Sequence, residues 1–234
     1  SGLAHLWFLY YLILFYFGTY LYIKVLDFRK RKLHKPAIGL NANFLVILVV
    51  TVLLTSILTA FNNHLIPPVY TGLKIQIFNL SYYLIFYVLG WILNHRLNVL
   101  NDLSRYSFVI SSIGLALAIF STRFQNREIQ PLVIHIFSAA QTVLLVLGIT
   151  GLFLKLFNRE TVFWRYCSDA SYWMYLVHLV IIVWLQILFM NSAVSPGMRL
   201  TFVLAVTLII TLATYHFFVR NTFIGNILNG KKRV

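Results

Sequence analysis

Apolar residues fill this chain in long unbroken runs separated by short polar breaks. A run of about 20 apolar residues is long enough to cross bilayer hydrocarbon as a helix. Seven such runs are predicted, roughly at 5–26, 42–61, 76–93, 107–121, 132–154, 172–190 and 200–219. The fourth is short and is expected to tilt, or to extend at either end. The breaks carry the turn and charge signals: Arg29-Lys30-Arg31-Lys32 with Pro36, then Asn62-Asn63-His64 with Pro67-Pro68, then Asn94-His95-Arg96. Arg123 to Pro131, Phe157 to Ser168 and Ser195-Pro196-Gly197 complete the set. The expected fold is all-α, a polytopic membrane helical bundle forming a single domain over 1–234. A membrane β-barrel is disfavoured, because its strands would alternate apolar and polar positions.

Composition sharpens this picture. The chain of 234 residues is 60% hydrophobic and 10% charged, whereas about a quarter of a soluble domain is charged. A net charge of +14 would suit nucleic acid, but the basic residues sit between apolar runs, where they set orientation. No nucleic-acid partner is expected; the lipid bilayer is. Of the 19 lysines and arginines, 15 fall in the breaks after the first, third, fifth and seventh runs. Only Lys74, Arg123, Arg127 and Arg199 fall in the other breaks. Positive charge stays inside, so the N-terminus is expected outside and the C-terminus in the cytoplasm. The chain starts Ser1-Gly2-Leu3-Ala4 and enters an apolar run at once, so its start reads as cut. No basic segment with a cleavage site marks residues 1–26 as a signal peptide. Cys167 is single, so no internal disulfide is expected.

The chemistry is expected to centre on Ser168-Asp169-Ala170-Ser171-Tyr172-Trp173-Met174-Tyr175-Leu176-Val177-His178. This stretch reads as a short polar loop entering a hydrophobic helix, with Asp169 as the helix N-cap. Ser171, Tyr175 and His178 share one stripe at helical spacing. His178 is expected about 10 Å into the helix at 1.5 Å per residue. An ionisable ring in a spanning helix faces a protein interior or a watery cavity. The plainer reading is a buried histidine bonded to a neighbouring helix. His5 and Trp7 stand at the outer mouth of the first run, among Tyr10 and Tyr11. They form either an interfacial aromatic belt or an outward-facing site. His135 and His216 lie near run ends and are read as interfacial, with Gln141 deeper; His34, His64 and His95 lie in loops. Arg127 and Glu128 read as a solvated pair. No two histidines are spaced i, i+4 and acidic residues are few, so no metal site is expected.

His5-Leu6-Trp7-Phe8-Leu9 together with the late Ser171-Tyr172…Tyr175-Leu176…His178 resembles the acyltransferase-3 family of integral membrane acyltransferases. Within it the wording is similar to the glucan biosynthesis protein C-like type, which places succinyl groups on periplasmic glucans. The pair of motifs carries the resemblance; either alone is weak. One departure is Val180, where the family usually has proline two residues after the late histidine. The resemblance implies about ten spanning helices with a cytoplasmic N-terminus, so that three would precede this chain. That parity agrees with an outside residue 1. It also implies a bacterial inner membrane location and a catalytic arginine–histidine motif on the family's first helix. Nothing in this chain corresponds to that motif, so the chain by itself is expected to be inactive.

The function implied is O-acyl transfer, of a succinyl or acetyl group, from a cytoplasmic acyl-CoA donor to a hydroxyl of an extracytoplasmic glycan. No bound cofactor is expected; acyl-CoA enters as a substrate. Arg29 to Lys32, Arg159 and Arg165 would meet the donor phosphates. Ser171, Tyr172, Tyr175 and Trp7 would line the acyl path, with His5 and His178 as the catalytic candidates. The alternative is a transporter or flippase-like permease, although Pro67-Pro68 and Pro196-Gly197 fall in loops rather than at mid-membrane. A receptor or a retinal protein lacks its usual sequence marks here. A third reading is a structural half of a split enzyme.

Overall fold

The computed structural model describes residues 6–28, 43–68, 72, 74–124, 131–157, 159, 161–190, 192 and 194–229. Its helices are α1 (Trp7–Phe28), α2 (Phe44–Asn62), α3 (Ile77–Asn94), α4 (Leu97–Phe124), α5 (Pro131–Leu156), α6 (Val162–Leu188), α7 (Pro196–Thr214) and α8 (Phe223–Asn229). No strand occurs among the described residues. Seven of these helices are long and apolar enough to cross a membrane. Their outer surfaces carry exposed large apolar side chains throughout, among them Ile13, Phe17, Leu53, Phe61, Val180 and Trp184. A water-soluble protein does not tolerate so much contiguous apolar surface; hydrocarbon is its natural solvent.

Two spans begin earlier than the apolar pattern indicates. α4 starts at Leu97 rather than near 107, and α6 at Val162 rather than 172. In both, the added turns hold polar residues: Asn98, Asn101, Asp102 and Arg105 in α4, Arg165, Ser168 and Asp169 in α6. Hydropathy marks the part of a helix that lipid covers, not the part that is helical. The N-cap of α6 is accordingly Thr161, whose Oγ1 accepts from the Trp164 amide at 3.2 Å. Asp169 lies two turns inside the helix and caps nothing, which corrects the expected loop at Ser168–Ser171. His178 therefore stands about 24 Å along its helix rather than 10.

The chain forms two compact units, Ser1–Asn158 and Arg159–Val234. In the first, α4 and α5 pack most closely. Small residues allow it: a methyl at Gly148 would lie 2.5 Å from Ser111 Oγ, one at Gly151 would collide with the Leu103 carbonyl, and one at Gly114 would lie 3.0 Å from Leu145. Close backbone approach of this kind replaces the hydrophobic effect, which is weak between helices in lipid. Ile47 of α2, Leu89 and Leu93 of α3, Leu103 of α4 and Val143 and Leu147 of α5 fill the core beside that seam.

In the second unit α6 lies against α7. Ala170 meets Tyr215 and Val219, with Tyr166, Trp173 and Met174 around them. Trp173 Nε1 donates to Thr214 Oγ1 at 3.0 Å. Past Thr214, α7 widens into one π-helical turn, Tyr215–Val219. Arg220 N–H reaches back to the Tyr215 carbonyl at 2.8 Å across that turn. The wider turn keeps both Tyr215 and Val219 against α6. At Gly225 of α8 a methyl would strike the Val219 carbonyl, so only glycine lets α8 fold back there.

Candidate functional site

The stripe on α6 is built as its spacing predicts. Tyr166, Ala170, Trp173 and Met174 face α7; Ser171, Tyr175 and His178 lie about a third of a turn round the same helix. Their rings stay close, with the Tyr175 and His178 centroids 5.9 Å apart. His178 Nδ1 stands 2.8 Å from the Tyr175 carbonyl and 3.1 Å from that of Met174. A carbonyl only accepts, so Nδ1 carries the hydrogen, and in the neutral ring Nε2 is the nitrogen with the lone pair. The helix backbone thus selects the tautomer and holds the ring. Ser171 is exposed and turns its hydroxyl back to the Ser168 carbonyl at 2.6 Å. Tyr172 lies off the stripe and is 52% exposed.

The remaining expected residues scatter. His5 and Arg29 to Lys32 lie outside the described residues, as do Arg127 and Glu128. Trp7 packs on Tyr83 of α3 with centroids 5.4 Å apart. Tyr83 also meets Tyr11, at 5.8 Å, so the aromatic start of α1 is pinned to α3. Arg159 and Arg165 are exposed at the start of the second unit. Tyr166 carries Arg220 over its ring at 5.3 Å. His216 is exposed, with Tyr166 OH a long 3.5 Å from its Nδ1.

Two features of the first unit were not singled out from sequence. One is a cavity of about 1130 Å³ where α2 and α4 begin, lined by Asn43, His95, Arg96, Asn98, Asp102 and Tyr106 and, further up α4, by Val109 and Ile110. Apolar side chains of the same helix starts, Leu45 and Leu97 among them, line it as well. The other sits at the opposite end of α2. There His135, one turn into α5, is 5% exposed and Asn79 2%, so both side chains are covered by their neighbours. The sequence held a signal for this region in the threonines of α2. Thr51, Thr55 and Thr59 repeat every four residues on a very apolar helix, and all three are buried. Among the described residues, no group of three or more His, Cys, Asp or Glu side chains gathers to hold a metal.

A bundle of apolar spanning helices with polar side chains turned inward is a polytopic membrane protein. A family model described as an acyltransferase domain, that of acyltransferase-3, matches residues 1–216. The chain belongs to that family, and so to the membrane acyltransferases. No match was found among curated proteins or among solved structures.

Proposed function

We propose that this chain forms the acyl-conducting part of an O-acyltransferase, moving a succinyl or acetyl group from cytoplasmic acyl-CoA to a hydroxyl on an extracytoplasmic glycan. The observation that carries the reading is His178: a ring deep in a family-matched spanning helix, its Nδ1–H held by two helix carbonyls. In the overall reaction the acceptor oxygen bonds the acyl carbon, the carbon–sulfur bond breaks, and the acceptor proton ends on the departing thiolate. A held imidazole with a defined lone pair suits proton relay in such a transfer. On the second unit the residues assigned to the acyl path are Ser171, Tyr175 and His178; on the first they are His5 and Trp7. The donor is polyanionic, and the basic residues assigned to the cytoplasmic side draw it there. Arg159 and Arg165 serve it on the second unit. The cavity with His95 and Arg96 serves it on the first.

The test uses the protein expressed from its complete reading frame in inverted membrane vesicles, with labelled acetyl- or succinyl-CoA and a glucan acceptor. Labelled glucan is the expected product. His178→Ala is expected to lower its rate about a hundredfold with expression unchanged. Full activity in that variant would remove His178 from the path. Movement of glucan or donor across the membrane without acylation would favour the permease reading instead.

A further inference from the structure

Besides Arg159 and Arg165, the second unit gathers a cationic cluster where α7 ends. Three side chains make it: Tyr166 of α6, His216 of the π-helical turn and Arg220 just past that turn. The Tyr166 ring is the common neighbour of the other two. The Arg220 guanidinium carbon stands 5.3 Å from its centroid and the His216 ring 6.1 Å. Tyr166 is itself held, packing edge-on against Tyr215 at 5.4 Å, and Tyr215 is 2% exposed. The backbone explains the gathering. The π-helical turn is closed by the Arg220 N–H on the Tyr215 carbonyl at 2.8 Å. It keeps Tyr215 covered, while His216 and Arg220 emerge beside Tyr166. Such turns are rare and occur frequently at functional sites.

The charge of this cluster is unanswered. A cation–π contact fixes a guanidinium but uses none of its five N–H donors. Among the described residues neither Arg220 nor His216 has a carboxylate within ion-pair distance. The acid described in this unit is Asp169, a turn further into α6, and it pairs with neither. His216 is exposed and Arg220 half-buried, so both are open to a ligand, and that ligand is an anion.

Its kind follows from what surrounds the donors. Phe163, Phe217, Phe218 and Phe223 are 62% to 77% exposed, and Trp164 is 41% exposed. Phe163 and Trp164 precede Tyr166 within one turn of α6; Phe217 and Phe218 follow His216 directly. Tryptophan gathers at the level of the lipid headgroups, and exposed phenylalanines beside it belong to the adjoining hydrocarbon. A cation placed among them stands where a spanning helix passes from hydrocarbon to headgroups, at the depth of the phospholipid phosphates. A soluble anion has no use for the phenylalanines, whereas the acyl chains of a phospholipid lie along them. An amine-bearing headgroup would bring an ammonium in need of a carboxylate, and the cluster holds none. A net-negative headgroup fits, its phosphate oxygens accepting from the guanidinium fork and from a His216 N–H.

We propose that Tyr166, His216 and Arg220 form a binding site for the phosphate of an anionic, amine-free phospholipid, in the leaflet that the charge bias assigns to the cytoplasm. Arg220 binds the phosphate, Tyr166 orients Arg220, and His216 adds a second donor. The bound lipid fastens the end of α7 and the fold-back of α8, where Gly225 meets the Val219 carbonyl. The site stands whether or not the chain conducts acyl groups.

The experiment is native mass spectrometry of the protein from its complete reading frame, in detergent, with phosphatidylglycerol, phosphatidylethanolamine or phosphatidylcholine added. It is paired with the melting temperature in each lipid. Wild type should retain phosphatidylglycerol in preference to the other two, with a raised melting temperature. Arg220→Gln should lower that retention about fivefold and abolish the rise. His216→Gln should lower it less. Arg105 is the control, because it too lies over a tyrosine ring, that of Tyr106 at 5.5 Å, and the charge bias assigns it to the same side. Arg105→Gln should leave retention unchanged. An equal loss in Arg105→Gln would mean diffuse attraction of positive charge to the membrane and overturn the proposal. Equal retention of all three lipids by wild type would overturn it as well, and that comparison decides if Arg220→Gln does not accumulate. Free coenzyme A is the last arm. If Arg220→Gln weakened its binding and left phosphatidylglycerol retention unchanged, the phosphate held here would be the donor's and the lipid site would be refuted.

Discussion

His178 and His135 are both histidines in apolar spanning helices, yet the two units treat them in opposite ways. In the second unit the helix itself satisfies His178, two of its own carbonyls sitting within 3.1 Å of Nδ1. In the first unit His135 is 5% exposed, and its Nδ1 has no hydrogen-bond partner. The contrast runs through the packing. The first unit is held by backbones brought together over glycine and serine, and it encloses a stripe of hydroxyls. The second is held by aromatic side chains and by the Trp173–Thr214 bond, and most of α6 remains uncovered within it. The local backbone and the closeness of neighbours therefore decide whether a polar ring is satisfied.

The contrast can be broken most forcefully at Gly151. Gly151→Leu forces a branched side chain into the Leu103 backbone, and overpacking costs typically 1–3 kcal/mol or more. The expected outcome is loss of the monodisperse peak in fluorescence-detected size exclusion. A well-behaved variant would show that α4 and α5 do not depend on close approach. A smaller effect is expected in the second unit. Trp173→Phe removes one hydrogen bond and some ring area while keeping the fold, at about 1–2 kcal/mol, read as a lowered melting temperature in detergent. If it proved as damaging as Gly151→Leu, the two units would not differ in how they are held. The finest test compares two candidate caps. Thr161→Ala should cost about 1 kcal/mol through loss of its bond to the Trp164 amide. Asp169→Ala should leave helix stability nearly unchanged, since Asp169 sits inside α6. The reverse order would return the start of the helix to Ser168–Ser171.

Much of this architecture was legible in order of residues. The seven spans follow from run length and hydropathy, because lipid imposes both on any helix that crosses it. The α6 stripe was legible too, since Ser171, Tyr175 and His178 belong to one helix and their common side follows from its period. The early starts of α4 and α6 were not, because their polar first turns lie beyond what hydropathy measures. The anchoring of residues 64–68 was missed for a different reason. Asn79 and Ser138 come from two helices more than fifty residues apart in the chain, and each bonds a carbonyl of a segment that neither helix contains.

Sequence by itself determined the class of this protein, the number of its spans and the residues sharing each helical side, because those depend on local period and on the solvent around the chain. Tertiary structure alone decided that the end of α6 facing Thr161 is helical, that a cavity opens where α2 and α4 begin, and that His135 is buried while Ser171 is exposed. Burial and bonding are properties of neighbours, and neighbours across a bundle are fixed by how closely backbones can approach, at positions such as Gly148 and Gly151 whose importance shows only against the helix they meet.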